Sequence, residues 1–273
     1  MDNRPIGFFD SGVGGLTCIP TFQERLPNER IVYYGDTARA PYGSKTLDNI
    51  KTFSFQIADY LVSHDVKMIV IACNTISATC LGALRRRHPD IPIIGIIDPI
   101  AEKIANEVKT ETSIGVIGTK VTITSGAYVN QITSKNKNVK LFSIACPAFA
   151  PLIEEGIIDN KIMDLTIRYY LDDFIAANKI SKLVLGCTHY PFLTDNLNRL
   201  YPDLELLNPS QEVVYKVERL LDEYDLHSAE TGKVSHKCYA SDLSQNFYDM
   251  VNLAFKDQKD VIVDFKRFED EEL

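Results

Sequence analysis

The sequence predicts an α/β protein built of two similar halves, pseudo-symmetric, each a mostly parallel sheet covered by helices. Three observations carry this. Short apolar runs alternate with longer stretches of helical period along the chain, the order that gives parallel strands with helices on both faces. The length, 273 residues with 45% hydrophobic content, is enough for about two domains at roughly 150 residues each. Segments also repeat: "IGFFDSGVGG" from Ile6 resembles "IGVIGTKVTI" from Ile114, 108 residues on, while the segments around Cys73 and Cys187 lie 114 residues apart in the same order. Short apolar matches arise by chance as well, and the chemistry of the cysteines is what sets this pair apart.

Strands are expected in chain order at 6–9 (IGFF), 31–34 (IVYY), 67–72 (KMIVIA), 91–97 (IPIIGII), 113–118 (SIGVIG), 139–144 (VKLFSI), 182–186 (KLVLG) and 204–207 (LELL). Between them, Ile50, Phe53, Ile57 and Leu61 fall at helical spacing. So do Leu165, Tyr169, Asp172 and Ala176, with Tyr169 and Ala176 as apolar members beside Ile175. The run "RRRH" (85–88) before Pro89 reads as a solvated helix end, its cations near the negative pole. Folds of this class bind ligands where the carboxyl ends of the strands meet the loops.

A net charge of -8 excludes a general attraction to nucleic acid or anionic membranes. The start, "MDNRPIGFFD", has no leader pattern, and no apolar run approaches the ~18 residues of a membrane span, so a cytoplasmic location is expected. Six cysteines (18, 73, 80, 146, 187 and 238) in a chain this long read as thiols. No metal is expected, because the close pair Cys187 and His189 lacks the second pair that a structural zinc site needs.

Two thiols stand out. Cys73 follows the strand "MIVIA" and precedes "NTISATCLGALRRR", a helix expected to begin near Asn74 or Thr75, which places the sulfur at a helix amino terminus that favours thiolate and carboxylate. Cys187 is expected to sit likewise after "LVLG", with Pro191 in a first helical turn. The other four read as small buried hydrophobes. Asp10 ends the first strand, where it can orient a base or cap the next helix. Gly12 and Gly14 open a dinucleotide-type loop with Asp36 near the expected acidic position, but Thr17 stands where the third glycine belongs; the loop equally suits a small carboxylate or phosphate. An acid near one thiol and the imidazole of His189 near the other suit inversion of a carbon bearing hydrogen, one base per face. No pyridoxal-binding lysine stands out.

The set "FFDSGVGGLT", "YYGDTARAPYG", "VIACNT", "GVIGT", "ACPAFAPLIEEG" and "LGCTHYP", in that order, closely resembles the cofactor-independent glutamate racemases over nearly the whole chain. The resemblance implies Cys73 and Cys187 as the two acid/base thiols, Cys73 acting on D-glutamate and Cys187 on L-glutamate. It implies that Asp10 assists Cys73, that His189 assists Cys187, and that Glu154 is a further acidic site residue with Asp36 in its vicinity. It places Ser11, Pro41, Tyr42, Gly43, Asn74, Thr75, Thr119, Thr122 and Thr188 around the substrate's amino and carboxylate groups. It further implies no cofactor, a homodimer, a role in supplying D-glutamate for peptidoglycan, and a substrate enclosed between two domains, 1–97 plus 209–273 and 98–208. Ile76, Asp98 and Asn208 depart from the family pattern. An aspartate racemase, a nucleotide-binding oxidoreductase and a noncatalytic ligand-binding protein are the alternatives.

Overall fold

The computed structural model describes residues 1–232, 234–256 and 260–268. The acidic end "EDEEL", expected to serve solubility alone, lies outside the described residues.

The first half lays down β1 (Ile6–Asp10), α1 (Ile19–Arg25), β2 (Ile31–Gly35), α2 (Leu47–Ser63), β3 (Met68–Ile71), α3 (Asn74–Arg87) and β4 (Ile93–Gly95). After α4 (Ile97–Glu107), the second half runs through β5 (Thr112–Gly118), α5 (Lys120–Thr124), α6 (Ala127–Thr133), β6 (Val139–Ala145), α7 (Phe149–Glu154), α8 (Lys161–Asn178), β7 (Lys182–Gly186), α9 (Thr194–Leu200) and β8 (Glu205–Leu207). The chain then returns through α10 (Pro209–Glu223), β9 (His236–Ala240), α11 (Gln245–Phe255) and β10 (Val261–Phe265).

Two parallel sheets result, in the orders β10-β9-β2-β1-β3-β4 and β6-β5-β7-β8. Both contain the same unit, with second, first, third and fourth strands side by side, so β1 corresponds to β5 and β3 to β7. This is the pairing the repeated segments predict. The eight expected strands are present. The added pair β9 and β10 has no place in the repeat and was not expected: "HKCYA" and "VIVDF" interrupt their apolar residues with charge.

Local choices agree with these elements. Thr46 caps α2 by accepting from the Asn49 amide at 3.3 Å, and Ile50, Ile57 and Leu61 bury one face against the sheet. Each such side chain contributes about 1.5–3 kcal/mol, so Ile57→Ala is expected to cost roughly 2–5 kcal/mol. Helix α8 corrects the sequence reading. Asn160 caps it, but the buried stripe is Met163, Ile167 and Leu171, while Leu165 is 57% and Tyr169 83% exposed. Both stripes obey helical spacing, and only packing on the sheet selects between them.

One core cluster contains side chains of both sheets together with α4 and α10, including Ile100, Ile104, Val213 and Val217. The other two cover the outer faces of the sheets. The departures from the family pattern fit this frame. Ile76 is fully buried, Asp98 lies 3.3 Å from Arg85, and the Asn208 side chain caps α10 through the Ser210 amide. In "RRRH", Arg87 and His88 both reach Asp59, so that helix end is paired as well as solvated. Among the described residues no helix is long and apolar enough to cross a membrane.

Candidate active site

Asp10 closes β1, Cys73 follows β3 by two residues, Thr119 follows β5 and Cys187 follows β7. All four stand at the carboxyl ends of central strands, and the two halves touch there. A Cβ on Gly14 would lie 2.3 Å from Thr188 Oγ1 and 2.9 Å from His189 Nδ1, so only glycine lets the first-half loop approach the second half this closely. Gly43 has the same role against Thr119, whose Cβ would be 2.7 Å away. Thr75 Oγ1 lies 3.0 Å from Thr119 Oγ1 and 3.3 Å from Thr122 Oγ1, and the last two hydroxyls are 2.9 Å apart. Three threonines from both halves thus form one hydroxyl cluster.

On the first-half side, Cys73 is the N-cap residue of α3 and Sγ lies 3.5 Å from Ser11 Oγ. The expected thiolate-favouring effect of the helix end does not prevail. Burial pushes the Cys73 thiol well up, and the Asp10 carboxylate adds to it. A helix terminus supplies about 0.3–2 kcal/mol, less than burial and a like charge can remove. Asp10 itself is fully buried. Its Oδ2 accepts from the amides of Gly12 at 3.2 Å and Gly15 at 3.1 Å, while Oδ1 has no partner among the described residues. Burial pushes its carboxyl above the ordinary value, against the nearby His189 charge and the amides of Gly15, Gly12 and Ser11.

On the second-half side, Cys187 occupies a bend, three residues ahead of the 3-10 turn Tyr190–Leu193 that holds Pro191. The expected helix-end platform is therefore absent here. The partner is His189 instead, with Nδ1 3.8 Å from Cys187 Sγ and Nε2 3.0 Å from the Glu154 carboxylate. Burial alone would lower the imidazole, but contact with Cys187 and then Glu154 outweighs it, and His189 is pushed up to about 10.

The remaining expected residues divide into two groups. Asn74 is buried, its Oδ1 accepting from Tyr128 Oη at 2.6 Å while Nδ2 has no partner among the described residues. Thr188 is buried beside Gly14, and Pro41 is exposed at the start of the turn that carries Tyr42 and Gly43. The Tyr42 hydroxyl donates to Asp36 Oδ2, so that side chain is committed to the scaffold. Asp36 is engaged further by Arg39 Nε at 2.7 Å and by Ser241 Oγ at 2.7 Å. An acid so occupied holds the Pro41–Gly43 turn and does not offer the free carboxylate of a dinucleotide site. Tyr128 and Ser241 escaped the sequence reading because they lie 54 and 205 residues from the groups they hold. All six cysteines are buried free thiols, and among the described residues no group of three His, Cys, Asp or Glu side chains is placed to hold a metal ion.

The family model described as Asp/Glu/hydantoin racemase matches residues 17–216, which contain both thiols. The chain belongs to that family. It is an isomerase of the amino-acid racemase class. The glutamate racemase of Sulfurihydrogenibium sp. (strain YO3AOP1) is 42% identical over 256 residues, spanning 93% of this chain and 95% of that protein. Among solved structures, the glutamate racemase of Francisella tularensis in complex with D-glutamate has a TM-score of 0.89 at 35% identity, covering 98% of each chain. That of Thermus thermophilus in complex with β-chloro-D-alanine has a TM-score of 0.83 at 35% identity over the full length of both. The family places the broken glycine loop in a racemase and removes the oxidoreductase alternative.

Proposed function

We propose that the protein interconverts L- and D-glutamate by two-base proton transfer, with no cofactor, and so supplies D-glutamate for peptidoglycan. The carrying observation is the pair of thiols at corresponding strand ends of opposite halves, each with its own polar partner. The named relatives, all glutamate racemases, support glutamate over aspartate. Two buried groups without partners among the described residues, Asp10 Oδ1 and Asn74 Nδ2, suit the ammonium and a carboxylate of an amino acid. The threonine cluster and Ser11 supply further donors.

In the L-to-D direction the Cys187 sulfur takes the α-proton and the Cys73 thiol returns one to the opposite face. Each sulfur ends in the other's starting state, and exchange with solvent resets them. An imidazolium 3.8 Å from Cys187 stabilises negative charge on that sulfur. We place the domain division at 1–97 plus 209–273 against 98–208, and read the protein as a cytoplasmic homodimer. Incubation with L-glutamate in D2O, without added pyridoxal phosphate or metal, should lose optical rotation and give D-glutamate carrying one α-deuterium. No exchange and no inversion would reject the reading, and a strict requirement for added pyridoxal phosphate would reject the two-thiol chemistry.

A further inference from the structure

A cavity of about 620 Å³ lies between the start of α2, the second turn of α3 and α5, and neither Cys73 nor Cys187 lines it. We propose that it is a second ligand site, taking a small organic anion with an apolar body. The volume falls in the range of pockets that hold cofactor-sized molecules, roughly 300–1,000 Å³. Its walls include Leu47, Ala78, Cys80 and Val121, and three lysines, Lys45, Lys51 and Lys120, stand around it against one acid, Asp48. None of the three lysines forms an ion pair among the described residues. The Lys51 Nζ lies 5.6 Å from the ring of Phe55.

The chemistry follows from that lining. In a protein of net charge -8, three lysines without an ion pair among the described residues, lining one hollow, are a local inversion of sign. They would draw an anion from solution, and the apolar walls would hold its body. A neutral apolar molecule would leave the cations unused, and a bare inorganic ion would leave the walls wet. Helix α2 adds its amino terminus, capped by Thr46 on the cavity wall, as a further positive pole.

The position gives the site a route to the reaction proposed above, and this coupling, unlike the binding, rests on that proposal. Helix α5 is capped by Thr119 and carries Thr122; α3 begins at Asn74 and carries Thr75. Each therefore contributes to the hydroxyl cluster at one position and to the cavity at another, Val121 on α5 and Thr79 and Cys80 on α3. Since α5 comes from the second half and α2 and α3 from the first, an occupant would brace the two halves against each other.

The test uses 8-anilinonaphthalene-1-sulfonate, an aromatic sulfonate whose emission rises on binding, on the intact protein. Saturable binding at one site is expected, weakened about tenfold or more in the triple variant Lys45→Gln, Lys51→Gln, Lys120→Gln. The uncharged analogue N-phenyl-1-naphthylamine should bind the parent and the triple variant alike, and Val121→Trp, which fills the hollow, should exclude both probes. Equal sulfonate affinity in parent and triple variant, or unchanged binding in Val121→Trp, would overturn the site. Reciprocity decides the coupling: D-glutamate should shift the sulfonate affinity by the factor by which the sulfonate shifts glutamate affinity. Binding without that shift keeps the site and removes the coupling. A parent protein that does not racemise glutamate removes the reaction proposal while the fluorescence titration still decides the site.

Discussion

The two thiol loops occupy equivalent places in equivalent four-strand units, yet their surroundings are opposite in sign. Cys73 stands at the N-cap position of a 14-residue helix near the buried carboxylate of Asp10, which helps push its thiol up. Cys187 sits in a bend and faces His189, held as imidazolium by Cys187 and Glu154. Repetition gives the two thiols corresponding strand ends, and divergence of the neighbours gives them unlike partners. In the proposed reaction a buried carboxyl group stands beside the thiol that acts on D-glutamate and an imidazolium beside the thiol that acts on L-glutamate.

The largest test breaks the pair. Cys73→Ser or Cys187→Ser should each lower racemisation by about 10³-fold or more, because a serine hydroxyl is a poor base near neutral pH. With a substrate analogue that loses a leaving group after its α-proton is taken, one base suffices. Cys73→Ser should then keep elimination from the L form and Cys187→Ser from the D form. If both variants favour the same enantiomer, the one-thiol-per-face reading fails.

Next come the partners. Asp10→Asn and His189→Asn should each lower kcat by about 10²-fold, the scale of a positioned acid or base. Because the enantiomers are equal in energy, kcat/KM must fall equally in both directions. The side appears instead in the isotope effect: α-deuteration should matter more from D-glutamate in Asp10→Asn and more from L-glutamate in His189→Asn. Identical isotope effects in the two variants would show that the unlike charges do not divide the work.

How legible this asymmetry is in the sequence varies by residue. The strands and both thiols could be read from "MIVIACNT" and "LVLGCTHY", since a buried parallel strand must be an apolar run and its carboxyl end must carry the polar loop. The upward push on the Cys73 thiol could not, because Asp10 lies 63 positions before Cys73 and burial belongs to the folded state. The helix end expected under Cys187 was misplaced by three residues, as Pro191 fits a 3-10 turn as well as an α-helix. The α8 stripe failed for a related reason: Leu165 and Tyr169 have the right period and the wrong face.

Gly14 tests how closely the halves must meet. In Gly14→Ala the new methyl would fall 2.3 Å from Thr188 Oγ1, so the first-half loop must retreat from the Cys187 loop. The expected outcome is a KM for glutamate raised about tenfold, since a displacement of about 1 Å at a site is costly. An unchanged KM would mean that the loop approach is incidental to binding.

The imidazolium has a signature in stability. With a folded value of about 10 against an ordinary 6.5, native His189 binds its proton more tightly than the unfolded chain does. Its stabilisation is therefore complete below about pH 6.5 and is lost as pH rises toward 10. Denaturant midpoints across that window should fall in the parent by more than in His189→Gln. Parallel curves would show that the folded protein does not hold the His189 proton above its ordinary value.

The smallest effect concerns what the first half has and the second lacks, the added strands β9 and β10. Ser241, just beyond β9, donates from Oγ to Asp36 at 2.7 Å and accepts there from the Ala38 amide at 2.9 Å. Asp36 in turn holds Arg39 and the Tyr42 hydroxyl, so the far end of the chain anchors the turn that carries Gly43 to Thr119. Ser241→Ala leaves the Asp36 Oδ1 atom and the Ala38 amide without this partner, a loss of about 1–3 kcal/mol for buried groups. Thermal stability should drop accordingly. If the returning strands also position the turn, KM should rise by about twofold to fivefold with kcat within about twofold, since a loosened turn weakens ground-state and transition-state binding together. If they serve only to extend the sheet, the melting temperature will fall and KM will stay at the parent value, and the asymmetry between the halves will then be confined to the two thiols and their partners.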